Sequence, residues 1–205
     1  MSSFLYNNYL MILDRQHLRF LALTICIFLI IRGISIQNFK FFLYLTHWAL
    51  IVKTLTFLCI FRGLGSDNFR KNLLVIAWTS GINVTIIYWT YAYPLMVSPD
   101  FELWHLLLTH GGICLFLIPE IMTCPFTLSN KDFLGPACVA IIYISCVLIP
   151  CAYFGMILYP GLTFTNFLSF IVVLANLLVS FGAFSIGKYV SWRFKIRPIE
   201  LKKVE

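Results

Sequence analysis

The stretch LLVIAWTSGINVTIIYWTYAYPLM, residues 73–96, runs for 24 residues without a charged side chain. A helix of about 20 apolar residues crosses the roughly 30 Å hydrocarbon layer of a bilayer, because it satisfies every backbone N–H and C=O within itself. Residues 73–96 therefore read as a membrane-spanning helix. Working outward, the same pattern recurs at 18–32, 41–61, 101–124, 133–157 and 164–190, with 18–32 the shortest. Breakers separate the spans: Gly63-Leu64-Gly65-Ser66-Asp67-Asn68, Ser98-Pro99-Asp100, Cys124-Pro125, Ser129-Asn130-Lys131-Asp132 and Tyr159-Pro160-Gly161. The expected fold class is all-α, a polytopic membrane protein whose six transmembrane helices form one bundle, residues 1–205 being a single membrane domain.

Composition agrees with this reading. The chain is 60% hydrophobic and 11% charged, with a mean hydropathy of +0.90, more apolar surface than a soluble domain of 205 residues could cover. The net charge of +7 does not point to nucleic acid, because the basic residues sit beside helix ends rather than on an exposed basic domain. Arg15, Arg19, Arg62, Arg70, Lys71, Lys131, Lys188, Arg193, Lys195, Arg197, Lys202 and Lys203 fall on one side, and only Arg32 and Lys40 on the other. The positive-inside rule makes the basic side cytosolic and puts both termini there. The N-terminal segment has the basic flank of a signal peptide but no small-x-small site after its apolar run, so it is expected to be retained as the first helix. No sorting signal is visible, which leaves endomembrane, plasma and organellar membranes open. Asn83-Val84-Thr85 matches a glycosylation sequon, but it lies in mid-span, out of reach of the machinery. The 7 cysteines lie almost all in apolar stretches, without ligand spacing, and read as small core residues.

Ionisable groups inside a bilayer cost roughly 2.5–3.5 kcal/mol each on insertion scales and tend to face the bundle interior with a partner. Lys53 and Glu120 are the two clear cases. Counted at about 1.5 Å per residue their depths differ by roughly 10 Å, a gap that a long lysine and a modest shift of the helix ends would close, so an intramembrane Lys53–Glu120 ion pair is one reading; snorkelling of each to the inner interface is the other. Thr46 and His110 both fall roughly 8–14 Å below the outer surface if each helix rises about 1.5 Å per residue. Facing one another, they would form the minimum apparatus for acyl transfer, a hydroxyl nucleophile and the base that takes its proton. The plainer alternatives are a threonine bonded to its own helix backbone and a histidine satisfied in the interior. Gly111 and Gly112 beside His110 would admit a lipid chain or a neighbouring helix. His47 points about 100° away from Thr46 on a helix, and His105 is expected near the outer interface with Trp104. No carboxylate or cysteine joins these histidines, so no metal site is expected.

At these residues the chain resembles the androgen-induced protein family, six-helix membrane hydrolases that include the androgen-dependent regulator of tissue factor pathway inhibitor. The resemblance is carried by Tyr44-Leu45-Thr46-His47-Trp48, by Ile86-Ile87-Tyr88-Trp89-Thr90-Tyr91-Ala92-Tyr93, by His110 followed ten residues later by Glu120, and by Gly155-Met156-Ile157-Leu158-Tyr159-Pro160. It runs from about residue 41 to 192. The resemblance implies that Thr46 and His110 are a catalytic pair and that the substrates are fatty acid esters of hydroxy fatty acids. The chain departs from the family where a second histidine precedes the catalytic one, a position taken here by Leu107, and at Gly111-Gly112. The rolling-stone proteins share a similar six-helix pattern.

The sequence thus leads to an intramembrane lipid esterase in which Thr46 attacks a lipid ester, His110 serves as base and then acid, and water clears the acyl-enzyme. Asn83 and Tyr88 are candidates for the oxyanion donor, with structural hydrogen bonding as their other role. No metal, nucleotide or redox cofactor is implied; the expected partners are the lipid ester and membrane lipids, with no nucleic acid. A second hypothesis is a non-catalytic membrane subunit that keeps the fold and packs against protein partners in a larger membrane complex. A channel or transporter needs a polar path, for which Lys53, Glu120, Asn83 and His110 are too few.

Overall fold

The computed structural model describes residues 2–95, 101–156, 158–159, 162, 164 and 166–194, with side chains from residue 14 onward. The breaker at Ser98-Pro99-Asp100, the centre of the Tyr159-Pro160-Gly161 turn and the basic residues Lys195, Arg197, Lys202 and Lys203 lie outside the described residues. Among those described, six helices are long and apolar enough to cross a membrane, and there is no strand. They are α1 (Ser2–Gln37), α2 (Leu45–Arg62), α3 (Asp67–Leu95), α4 (Leu103–Met122), α5 (Asn130–Tyr153) and α6 (Phe167–Phe194). The chain is a multi-pass, all-helical membrane protein.

Local sequence explains where the helices stop. Gly63 adopts φ +66° after α2, the left-handed conformation that costs glycine least, and the Leu64 N–H closes the turn on the Cys59 carbonyl at 2.9 Å. Ser66 then caps α3 by accepting from the Phe69 N–H at 3.3 Å. At the start of α5, Ser129 and Asp132 cap one another reciprocally. The first helix is longer than the 18–32 expected from hydropathy. It extends to Gln37 and continues as a tighter 3₁₀ stretch, Asn38–Leu43, because its polar positions find partners: Arg15 and Arg19 reach α4, and Ser35 donates to the Ile31 carbonyl at 2.8 Å.

The most apolar windows of α2, α3 and α4 are 44%, 50% and 50% buried, whereas those of α1, α5 and α6 are 28%, 22% and 28% buried. The first three make the centre, and the others present Phe20, Phe28, Phe167, Phe170 and Phe181 outward, as a lipid-facing surface requires. Trp78 of α3 ties the centre to α6 by donating its indole N–H to the Ala183 carbonyl at 2.8 Å, over the gap left by Gly187. All seven cysteines are free, and Cys26, Cys59, Cys114 and Cys124 are buried.

Three helices are interrupted by one wide turn each, in which an N–H bonds five residues back rather than four: Tyr88–Ala92 in α3, Leu108–Gly112 in α4 and Ile144–Leu148 in α5. Two have a cause in the sequence. Pro94 and Pro150 carry no N–H for the carbonyls of Thr90 and Cys146, and a wide turn lets the helix pass without the ring striking that carbonyl. In α4 the turn ends on Gly111-Gly112, where the backbone is least constrained. All three lie on the walls of the site described next.

Candidate functional site

Threonine and serine inside a membrane helix normally donate to their own backbone. Thr24, Ser35, Thr54, Thr56, Ser80, Thr85, Thr90 and Thr123 all do so, each to the carbonyl four residues back. Thr46 does not. It sits in the first turn of α2, and the carbonyl four residues back, that of Phe42, accepts the Trp48 indole N–H at 2.8 Å instead. The Thr46 hydroxyl turns to His110, with Oγ1 3.5 Å from Nδ1, both residues being buried. That distance is the long limit of a hydrogen bond, as is common where substrate is needed to tighten a catalytic contact.

His110 is held on the wide turn of α4 and is covered by Tyr88 on the wide turn of α3; their rings are stacked with centroids 3.3 Å apart and planes 6° from parallel. The flat contact fixes the imidazole plane so that Nδ1 stays toward Thr46. For Nδ1 to take the hydroxyl proton, the ring's own proton must be on Nε2.

Two chambers meet at this pair. One, of about 70 Å³, lies between α3, α5 and α6 and is almost wholly apolar, with Val84, Ile87, Ile144, Leu148 and Val172 on its walls. The other, of about 100 Å³, is polar and contains His47, His105, Thr109 and His110, with Phe101 and Leu106. Thr46, Tyr88 and Tyr159 line both. At the rim Arg32 pairs with Glu102 at 2.5 Å and lies over the Trp104 ring, 5.0 Å from its centroid; this contact holds the exposed Glu102 carboxyl below its usual range.

Tyr159 is a residue that sequence reading passed over. Its hydroxyl accepts from the Leu45 backbone N–H at 3.0 Å, which places it beside the residue preceding Thr46. It also lies 3.3 Å from the Tyr143 hydroxyl. Tyr143 spends its own proton on the Leu43 carbonyl at 2.7 Å, so the Tyr159 proton is the one left to give. Burial pushes the Tyr159 phenol up, so it stays a donor. Its aromatic character and its place in a loop were visible; its folding back over the start of α2 was not.

The other sequence candidates fall elsewhere. The Lys53–Glu120 ion pair is not formed. Glu120, buried, is gripped by both nitrogen arms of Arg19, Nε to Oε1 at 2.7 Å and a terminal nitrogen to Oε2 at 2.8 Å, with Arg15 at 3.6 Å. A planar guanidinium matches a carboxylate in this two-point fashion and a lysine cannot. Lys53 is 1% exposed and makes no ion pair among the described residues; its chain lies against Gly81, where an added Cβ would stand 3.0 Å from Lys53 Cε. Asn83 is not available as an oxyanion donor, since its Nδ2 donates to Asn176 Oδ1 at 2.5 Å and Ser180 Oγ at 2.8 Å, joining α3 to α6. His105 stands in the first turn of α4, beside Trp104, and turns inward: it is 2% exposed, stacked on Phe101 with centroids 4.2 Å apart, and lines the polar chamber. His47 donates Nδ1–H to the Phe41 carbonyl at 2.7 Å. Among the described residues no group of histidine, cysteine and acidic side chains is arranged to hold a metal ion.

Comparison with family models, with characterised proteins and with solved structures returns no match.

Proposed function

We propose that the protein is an intramembrane lipid esterase with Thr46 as nucleophile and His110 as its base. The observation that carries this reading is the Thr46 hydroxyl, withdrawn from its own helix, placed 3.5 Å from His110 Nδ1 and standing where an apolar and a polar chamber meet. The apolar chamber suits the acyl chain, with the scissile carbonyl at Thr46 and the leaving oxygen toward the polar side. Thr46 Oγ1 attacks the carbonyl carbon as His110 Nδ1 takes its proton; His110 then protonates the leaving oxygen, and water reverses the two steps to free the acid. Tyr159 is the side chain best placed to donate to the oxyanion, a contribution that elsewhere is worth about 10²–10³ in rate for one donor.

The sequence resemblance to androgen-induced hydrolases supports the same pair and extends the reading to fatty acid esters of hydroxy fatty acids. The bias of basic residues supports placing the end of the bundle with Arg15 and Arg19 on the cytosolic side. The test is labelling of the purified protein by a fluorophosphonate probe, compared with Thr46→Ala and His110→Ala. Labelling lost in both folded variants bears the reading out. A folded wild-type protein that takes no label sinks it, and leaves a non-catalytic subunit of a membrane complex as the better account.

A further inference from the structure

The polar chamber is larger and better furnished than hydrolysis needs. One water occupies about 10–15 Å³ in the measure by which this chamber has about 100 Å³. Two side chains on its wall, Thr109 and His105, are each 2% exposed, and Thr109 Oγ1 and His105 Nδ1 have no hydrogen-bond partner. They stand on successive turns of α4, about 6 Å apart along the axis at four residues' separation. His47 adds an acceptor, because its Nδ1–H is spent on Phe41 and Nε2 keeps a lone pair. Among the described residues no lysine or arginine lines the chamber, and Arg32 at the rim is occupied by Glu102. An anion is therefore poorly served. A neutral molecule with several hydroxyls, each able to donate and accept, matches the wall.

We propose that this chamber binds a small polyhydric alcohol as acyl acceptor, so that the protein transfers an acyl group from Thr46 to the alcohol in addition to releasing it to water. The inference rests on the acyl-enzyme of the esterase reading. One hydroxyl of the acceptor meets the acyl-Thr46 carbonyl while the others bond Thr109 and His105. His110 Nδ1 takes the acceptor's hydroxyl proton as its oxygen bonds the carbonyl carbon. The bond from that carbon to Thr46 Oγ1 then breaks, and Oγ1 recovers the proton from His110. Ester replaces ester, with no change of oxidation state and no further reactant. Thr109 is a positioning residue for the acceptor and is not part of the acylation step.

The experiment uses the full chain in lipid nanodiscs, p-nitrophenyl dodecanoate as acyl donor, and glycerol or propan-1-ol as acceptor. Fluorophosphonate labelling is followed in parallel. The wild type is expected to give glyceryl dodecanoate that saturates with glycerol, with propan-1-ol at least fivefold poorer. Thr109→Val, which removes a hydroxyl that bonds nothing, is expected to lower the ratio of transfer to hydrolysis about tenfold while labelling stays within twofold, and Thr109→Ser to restore it. Free acid as the sole product at every glycerol concentration, from a protein that does label, overturns the acceptor site and leaves the esterase intact. So does transfer that rises linearly with any alcohol and is equal in Thr109→Val. Absence of label and of ester cleavage in the folded wild type overturns both readings at their shared nucleophile.

Discussion

The two ends of the bundle treat polar side chains differently. At the end where α1 begins, the charged groups find partners: Glu120 with Arg19 and Arg15, Lys71 with Asp132 at 2.7 Å, Lys188 with Asn130 at 2.7 Å, although Arg15 Nε and Gln16 Oε1 have none among the described residues. At the other end Thr46, His105, Thr109 and His110 are all buried, more so than most of those paired groups, and among the described residues Thr109 Oγ1 and His105 Nδ1 lack partners while the Thr46–His110 contact is long. An unmatched buried polar group costs about 1–3 kcal/mol. Where such atoms face a chamber, as Thr109 and His105 do, an entering ligand would relieve that cost, as the proposed reaction requires. The end with the ion pairs reads as structure, and the end with the chambers is where the proposed chemistry would lie.

That contrast can be broken at either end. The largest effect is expected for His110→Ala, a loss of about 10²–10⁴ in ester turnover, the usual range for a general base, with thermal unfolding nearly unmoved. A variant that instead melts much earlier would make His110 a packing residue. Glu120→Ala is the converse: it strands Arg19 and Arg15 and should cost about 3–5 kcal/mol of stability, read as earlier unfolding in detergent, while activity per folded molecule is kept. Tyr159→Phe should lower kcat about 10²-fold with little change in KM, since an oxyanion donor acts in the transition state; an unaltered kcat would leave the phenol with only its bond to Leu45. The smallest effect belongs to Arg70→Ala. Its partner Asp67 is 71% exposed, three residues away on the same helix, and such pairs contribute about 0.3–0.5 kcal/mol, so the melting temperature should scarcely shift.

Much of the architecture was legible because the bilayer imposes it. Six apolar runs of spanning length can hardly do anything else, and Gly63, Ser66 and Ser129 mark ends by chemistry that needs no tertiary knowledge. The approach of Thr46 to His110 was legible because depth along a helix follows from counting. What counting cannot give is azimuth. Depth leaves Glu120 open between a pair with Lys53 and the inner interface, whereas the side of α4 that carries it faces α1, whose arginines the sequence marks only as topology signals. Depth places His105 near the helix end beside Trp104, but only the structure shows that it turns inward to stack on Phe101. The wide turns had a partial signal in Pro94 and Pro150, and none in α4 beyond Gly111-Gly112. Tyr159 depended on a loop folding back across two helices, a long-range event with no periodic trace.

The wide turn at Leu108–Gly112 makes the site depend on arithmetic as well as chemistry. Such a turn is a regular helix carrying one extra residue, and one residue of helix is about 100° of rotation. Deleting a single glycine from 111–112 would leave every functional side chain in the chain and a smoother helix around them. The two halves of α4 would keep their phase, because the wide turn already absorbs the extra residue, and Glu120 would stay clasped by Arg19; only the turn that carries His110 would be re-formed, moving the imidazole relative to Thr46. The meeting of Thr46 and His110 thus hangs on one local turn, and a deletion that changes only its length is expected to part them while the rest of α4 stays where it is.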